Sequence, residues 1–426
     1  MFRWYRLAST FFLLLAMEAF SVFDRVIYGE WEGKSGDRIT EGLNLLLIFT
    51  SLVLLSRGFR RTRWIGTGGI LGLAAAGLLL LSALWSIDPQ TTMRRGVLYL
   101  FVVVGAIGVS SNMDGDEFIG VLGLACGISA VASILLPAIS SGDALMGDSD
   151  FRGIFSHKNV LGQVMAVGAL ASLHGIRVGG RKRLRNVVML ALFTIVALAA
   201  QSATSFMTIF AFCGAEVIIT LFRKGAAARV MAIGAVALMV PVVVVATAFP
   251  DSLLELIGRD PTLTGRTDLW AYVLTDIAQK PLLGWGYAAF WSPNDPAALE
   301  ISNVLKWYVP QAHNGVLEML LNIGLVGTAF FIFLWARNVW LALRCLRTPQ
   351  KGLAISSLLS FGGILLVGIS ETVLTNPLQV FTPLFFITGL MCERAVQAAR
   401  PRRYLAASPY RISDTVDNSG GRILPG

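Results

Sequence analysis

The chain has 426 residues, 55% of them hydrophobic and only 14% charged, with a mean hydropathy of +0.68. That balance excludes a soluble globular protein and marks an integral membrane protein. The net charge of +9 does not require nucleic acid as a partner, because the excess cations suit anchoring against anionic membrane lipid.

Apolar runs near the roughly 20 residues that cross a bilayer recur along almost the whole length. They predict an all-α integral membrane protein with about 12 transmembrane helices, at 7–23, 40–56, 65–85, 97–112, 118–138, 159–176, 186–200, 203–222, 229–249, 314–335, 353–374 and 379–397. The run at 7–23 is short and holds Glu18; no small-residue cleavage site follows it, so it is read as an uncleaved helix. The N-terminus, the loops at 57–63, 177–185, 223–229 and 336–352, and the C-terminal end hold 24 of the 35 Lys and Arg. The positive-inside rule then makes both termini cytoplasmic. The expected organisation is one polytopic domain over 1–398, a large outer loop at 250–312 between helices 9 and 10, and a disordered cytoplasmic tail over 399–426. Cys126, Cys213, Cys345 and Cys392 lack paired spacing and read as packing residues.

Cations on the outer side are not explained by that bias. In LWSIDPQTTMRR, residues 84–95, Trp85 and Ser86 end one helix while Arg94 and Arg95 begin the next. An arginine pair at a helix N-terminus opposes the macrodipole unless an anion joins it; otherwise this is an interfacial Trp beside arginines at a helix start. In FRGIFSHKNVLGQ, residues 151–163, Arg152, His157, Lys158 and Asn159 stand ahead of a long apolar run. Asn159 suits an N-cap. Capping does not account for Arg152 or His157, and their desolvation points to water or an anionic ligand.

The outer loop is too long and too aromatic for a connector. Leu269, Trp270, Val273, Leu274 and Ile277 recur at three- and four-residue steps and predict an amphipathic helix on or in the membrane surface. Starting at Thr264 or Gly265, it places Arg266 in its first turn, where free N–H groups and guanidinium make an anion site. Pro281, Gly284 and Gly286 close it with a tight turn. The rings of Trp285, Tyr287, Phe290, Trp291, Trp307 and Tyr308 either anchor the loop at the interface or stack on sugar faces. The loop ends in QAHNGVLEMLLNIGLVG, with His313 just before a helix capped by Asn314 and Glu318 one turn further in. A neutral imidazole there could accept a proton. Asp148-Ser149-Asp150 is read as a solvated loop, so no metal or cofactor is expected.

Outward arginines, a histidine and aromatic rings suit displacement of a diphosphate from a lipid-linked sugar. Guanidinium groups stabilise the leaving charge, and the imidazole takes the proton of the attacking hydroxyl.

The motifs WSIDP followed by Arg94 and Arg95, FRGIFSHKN at 151–159, GR-x3-W at 265–270 with KPLLGWG at 280–286, and AHNGVLEMLLNIGLVG at 312–327 resemble the O-antigen ligase and Wzy-type polymerase superfamily. The resemblance covers residues from about 80 to 335 and rests on the order of the motifs. It implies a GT-C-like fold in the bacterial inner membrane and a metal-independent inverting glycosyl transfer on the periplasmic side. The donor would be an undecaprenyl-diphosphate-linked oligosaccharide. By the same resemblance Arg266 would bind the diphosphate, His313 would activate the acceptor hydroxyl, and Arg152 would match the arginine before the family's Gly-x-x-x-x-Asn segment. Substrate contacts would fall to Arg94, Arg95, His157, Lys158, Asn159, Trp270, Trp285, Asn314 and Glu318. One position departs: where ligases carry a basic residue after a serine, QSATSFMTIF has Ala203, leaving Arg152 or Arg94 as substitutes. SHKNVLGQ and QSATS are closer to exopolysaccharide repeat-unit polymerases of the succinoglycan type, which implies chain-length regulator and export proteins as partners. The alternatives are a ligase transferring lipid-linked glycan to lipid A core, and a repeat-unit flippase or exporter, for which Glu216 and Glu371 are the candidate intramembrane ionisable groups.

Overall fold

The apolar runs fold as helices in the computed structural model, which describes residues 4–23, 38–62, 65–146, 150–222, 224–225, 234, 265–292 and 295–399. In chain order they are α1 (Trp4–Ala16), α2 (Arg38–Thr62), α3 (Gly66–Leu81), α4 (Pro89–Asn112), α5 (Gly115–Ile139), α6 (Lys158–Val178), α7 (Arg183–Ala199), α8 (Ala203–Phe222), α9 (Gly265–Gln279), α10 (Pro296–Leu305), α11 (Gly315–Cys345), α12 (Lys351–Gly368) and α13 (Phe381–Ala398). A helical turn at Ser141–Ala144 and a two-residue antiparallel pairing of Leu145–Met146 with Asp150–Phe151 interrupt the pattern ahead of α6. Among the described residues, eight helices are long and apolar enough to cross a membrane: α2 to α6, α8, α11 and α12. The protein is therefore an all-helical membrane protein. The predicted run at 229–249, the tail beyond 399, and Asp148 and Ser149 lie outside the described residues.

The helix α13 forms the middle of the bundle, buried at every residue from Phe381 to Glu393 and packed against α3, α4, α11 and α12. Tyr99, Phe331, Phe385 and Phe386 meet around it edge to face.

Two predicted spans end early, each at a glutamate. The first stops at Ala16 rather than residue 23, because Glu18 turns left-handed (φ +59) and its carboxylate accepts a 2.9 Å hydrogen bond from Ser156. The run at 353–374 stops at Gly368. Residues 369–380 then cross the protein without regular structure, which is tolerated at membrane depth only where protein groups take up the backbone. Here the Tyr99 hydroxyl donates to the Leu374 carbonyl at 2.9 Å, Tyr287 to Thr375 at 2.6 Å, and Thr382 to Val373 and Asn376, both at 2.7 Å.

The helix α11 breaks at Gly324, whose φ of +62 leaves helical N–H and C=O groups unpaired. The segment after α9 supplies the partners. The N–H groups of Leu325 and Val326 donate to the carbonyls of Pro281 and Leu282, while those of Trp285 and Gly286 donate to Leu321 and Asn322. A Cβ on Gly324 would collide with the Leu282 backbone, and one on Gly284 would lie 2.6 Å from the Asn322 carbonyl carbon. The KPLLGWG and NIGLVG motifs are thus one joint. WSIDP locks it from the other side: Trp85 Nε1 donates to the Leu283 carbonyl at 3.0 Å, and the Ile87 N–H to that of Trp285 at 3.1 Å.

The amphipathic helix forms over α9. Within its apolar stripe Leu269 and Val273 are fully buried against Phe290, Ile301, Val309, Ala312 and Leu321, a small core belonging to the loop itself, while Leu274 is 53% exposed. Part of the stripe is thus covered by protein, where the loop packs on α11.

Candidate active site

The carboxylate of Glu371 is the point on which the site converges. It is 5% exposed, on the irregular segment behind α12. Asn159 Nδ2 donates to its Oε1 at 2.6 Å and Gln311 Nε2 to its Oε2 at 2.8 Å. Nδ1 of His313 lies 3.8 Å and Nη2 of Arg266 4.0 Å from the same Oε1. The cation of Arg266 and the amide donors of Asn159 and Gln311 thus surround a carboxylate that burial alone would disfavour.

Four helix N-termini meet there. Asn159 is in the first turn of α6, Arg266 in the first turn of α9, and His313 just precedes α11. Thr204, at the start of α8, shares a 2.8 Å hydroxyl contact with Ser370, next to Glu371. Helix N-termini carry partial positive charge and unpaired N–H groups. With Arg266 among them, these N-termini give the Glu371 carboxylate an electropositive surround, the kind of setting that also holds anionic ligands.

The turn holding His313 is fixed from several directions. His313 itself is left-handed (φ +48), a conformation that costs a non-glycine residue about 1–3 kcal/mol unless its surroundings enforce it. The N–H of Ala312 donates to Glu318 Oε2 at 2.7 Å, and the Ala312 carbonyl accepts from Trp270 Nε1 at 3.0 Å. Asn314 caps α11, accepting from the N–H groups of Val316 and Leu317 at 3.0 and 3.1 Å. The Glu318 carboxylate also binds Trp291 and Asn322. Trp270, Asn314 and Glu318 are thus each hydrogen-bonded to the turn that carries His313.

The other sequence-predicted residues are distributed less simply. The N-cap of α6 is His157, whose Nδ1 accepts from the Asn159 N–H at 3.1 Å, and not Asn159, whose side chain is freed to reach Glu371. Lys158 is the first residue of α6. Arg152 sits in the tight turn before it, its N–H on the Ala144 carbonyl at 3.0 Å. Arg94 and Arg95 are exposed on the first turns of α4. Asp88 caps their helix end; burial works to raise its carboxyl, but Thr91, Ser292 and Arg94 together hold it below the ordinary value. Trp285 belongs to the α11 joint: its Nε1 donates to the Asp276 carbonyl at 3.0 Å, and Lys280 Nζ covers its ring at 4.1 Å. Of the other loop rings, Tyr287 and Phe290 are buried. Trp307, 37% exposed, lies 5.8 Å from the His313 ring, and its neighbour Tyr308 is 59% exposed.

Residues 188–332 match the O-antigen ligase family. The chain is a membrane enzyme of this glycosyltransferase or ligase type. The O-antigen ligase match runs from α7 into α11, taking in Arg266 and His313 but ending before Glu371. The chain is also similar to "Exopolysaccharide production protein ExoQ" of Rhizobium meliloti, at 27% identity over 76% of this chain and 75% of that protein. A shorter similarity, 26% identity over 36% of this chain and 38% of the relative, links it to "Putative polysaccharide ligase RC0486" of Rickettsia conorii.

Proposed function

We propose that the protein polymerises undecaprenyl-diphosphate-linked oligosaccharide repeat units into an exopolysaccharide at the extracytoplasmic side of the inner membrane, by metal-independent inverting transfer. In this reading both termini are cytoplasmic, the bundle has about 12 spans in a GT-C-like arrangement, and residues 250–312 are periplasmic. The carrying observation is that Arg266 and His313 reach one oxygen of one buried carboxylate amid four helix N-termini.

The acceptor hydroxyl attacks the anomeric carbon of the donor. A new glycosidic C–O bond forms as the anomeric carbon–phosphate oxygen bond breaks, and the diphosphate leaves with the bonding electrons. The hydroxyl proton passes to the imidazole of His313, and Glu371, 3.8 Å from its Nδ1, stabilises the imidazolium as it forms. Arg266 and the helix N-termini stabilise the departing diphosphate. The ring of Trp307 offers a sugar-stacking face next to His313.

Polymerisation is preferred because the similarity to the exopolysaccharide production protein covers three quarters of both chains. The family description favours the second reading, transfer of the same donor to lipid A core. An exporter gains little support: Glu216 is engaged by Arg177 at 3.0 Å at the far ends of α8 and α6, and Glu371 is held in the cluster above. Incubating purified protein with a lipid-linked repeat unit, with and without lipid A core, and sizing the products tests this. A ladder without core supports the polymerase; product only with core supports the ligase; neither product contradicts both.

A further inference from the structure

The end of the bundle remote from Glu371 carries a cavity that the proposed transfer does not use. It has a volume of about 800 Å³ and lies between α5, α6 and α7, within the ~300–1,000 Å³ of ordinary ligand sites. The helix α6 runs about 31 Å from the site end to this one, close to the thickness of the hydrocarbon core.

Glycines on one face of α5 open the furrow. A Cβ on Gly120 would meet nothing within 4 Å, while Gly123 and Gly127 face Ala171 and Met189. Leu124, Ile128, Val131 and Leu135 line its length and are 44–57% exposed. At the arginine-rich mouth, Lys182 and Arg185 line the cavity, and Arg181 and Arg183 flank it. Among the described residues none of these four is paired with a carboxylate. The mouth's own acid, Asp116, is taken by His174 at 3.0 Å, and the polar contact of Arg185 is Asn186 at 3.0 Å.

We infer that this groove binds an anionic phospholipid of the leaflet at the arginine-rich end, its acyl chain along α5 and its phosphate on Lys182 and Arg185. An apolar furrow needs a hydrocarbon occupant in a bilayer, and unneutralised cations at a single mouth select a negative headgroup. General attraction of the surface for anionic lipid would depend equally on all four cations. A built site depends on the two that line the groove.

The test is native mass spectrometry of the full-length protein released from detergent containing equal phosphatidylglycerol and phosphatidylcholine of matched chains. The wild type should retain phosphatidylglycerol selectively. Lys182→Gln with Arg185→Gln should weaken retention about thirtyfold, from the loss of two surface cations, whereas Arg181→Gln with Arg183→Gln should leave it within a few-fold. Gly120→Leu, which places a side chain in open space on a helix that tolerates it, should also abolish retention without loss of folded protein. Equal retention of both lipids, equal weakening by the two cation pairs, or undiminished binding to Gly120→Leu would overturn the assignment.

Discussion

The imidazole of His313 faces the carboxylate of Glu371, its Nδ1 atom 3.8 Å from Oε1. That proximity joins a residue outside the family match to the proposed site. If Glu371 stabilises the imidazolium in the transfer, Glu371→Gln should lower kcat on the order of a hundredfold or more with KM little changed. The check is steady-state kinetics on membranes with equal folded protein; a KM effect alone would make Glu371 a binding group instead.

Replacing Arg266 by lysine should impair turnover severely, because a point charge does not reproduce the two parallel hydrogen bonds of a guanidinium on phosphate. A loss of one such charge-assisted contact is worth on the order of tenfold or more in kcat/KM. Near-normal kcat/KM for Arg266→Lys would remove this residue from the diphosphate site.

Trp270 holds the carbonyl of Ala312, one residue from His313, so Trp270→Phe keeps the ring and deletes one hydrogen bond. Turnover should fall roughly five- to tenfold with donor affinity preserved. A selective loss of donor affinity would instead mean that the indole touches substrate.

Local signals made part of this legible in the sequence. The start of α9 at Gly265, with Arg266 in its first turn, and the cap at Asn314 follow from residue types a few positions apart. Asn159 also looks like a cap, yet the cap is His157, since both side chains are able to accept from the α6 N-terminus and only the fold brings Glu371 within reach of Asn159. Glu371 stands out in the sequence only as an ionisable group in an apolar run that reads as a span; the signal that it ends that run is ETVLTNP, where an acid and an Asn-Pro turn interrupt it, but its place beside His313 depends on the fold. The glycine motifs read as turns, but their pairing across the break in α11 depends on contacts between distant segments. The stripe on α9 specifies an apolar face and not what covers it, which is why membrane and protein docking look alike in sequence.

In the proposed transfer His313 acts as the base within a site that binds donor independently of it. The most direct measurement is a single-turnover assay of purified His313→Ala with radiolabelled lipid-linked repeat unit, following bound donor and elongated product together. Donor binding should match that of the wild type, and product formation should be slower by about a hundred- to ten-thousand-fold. Elongation at the wild-type rate would contradict the assignment of His313 as the base.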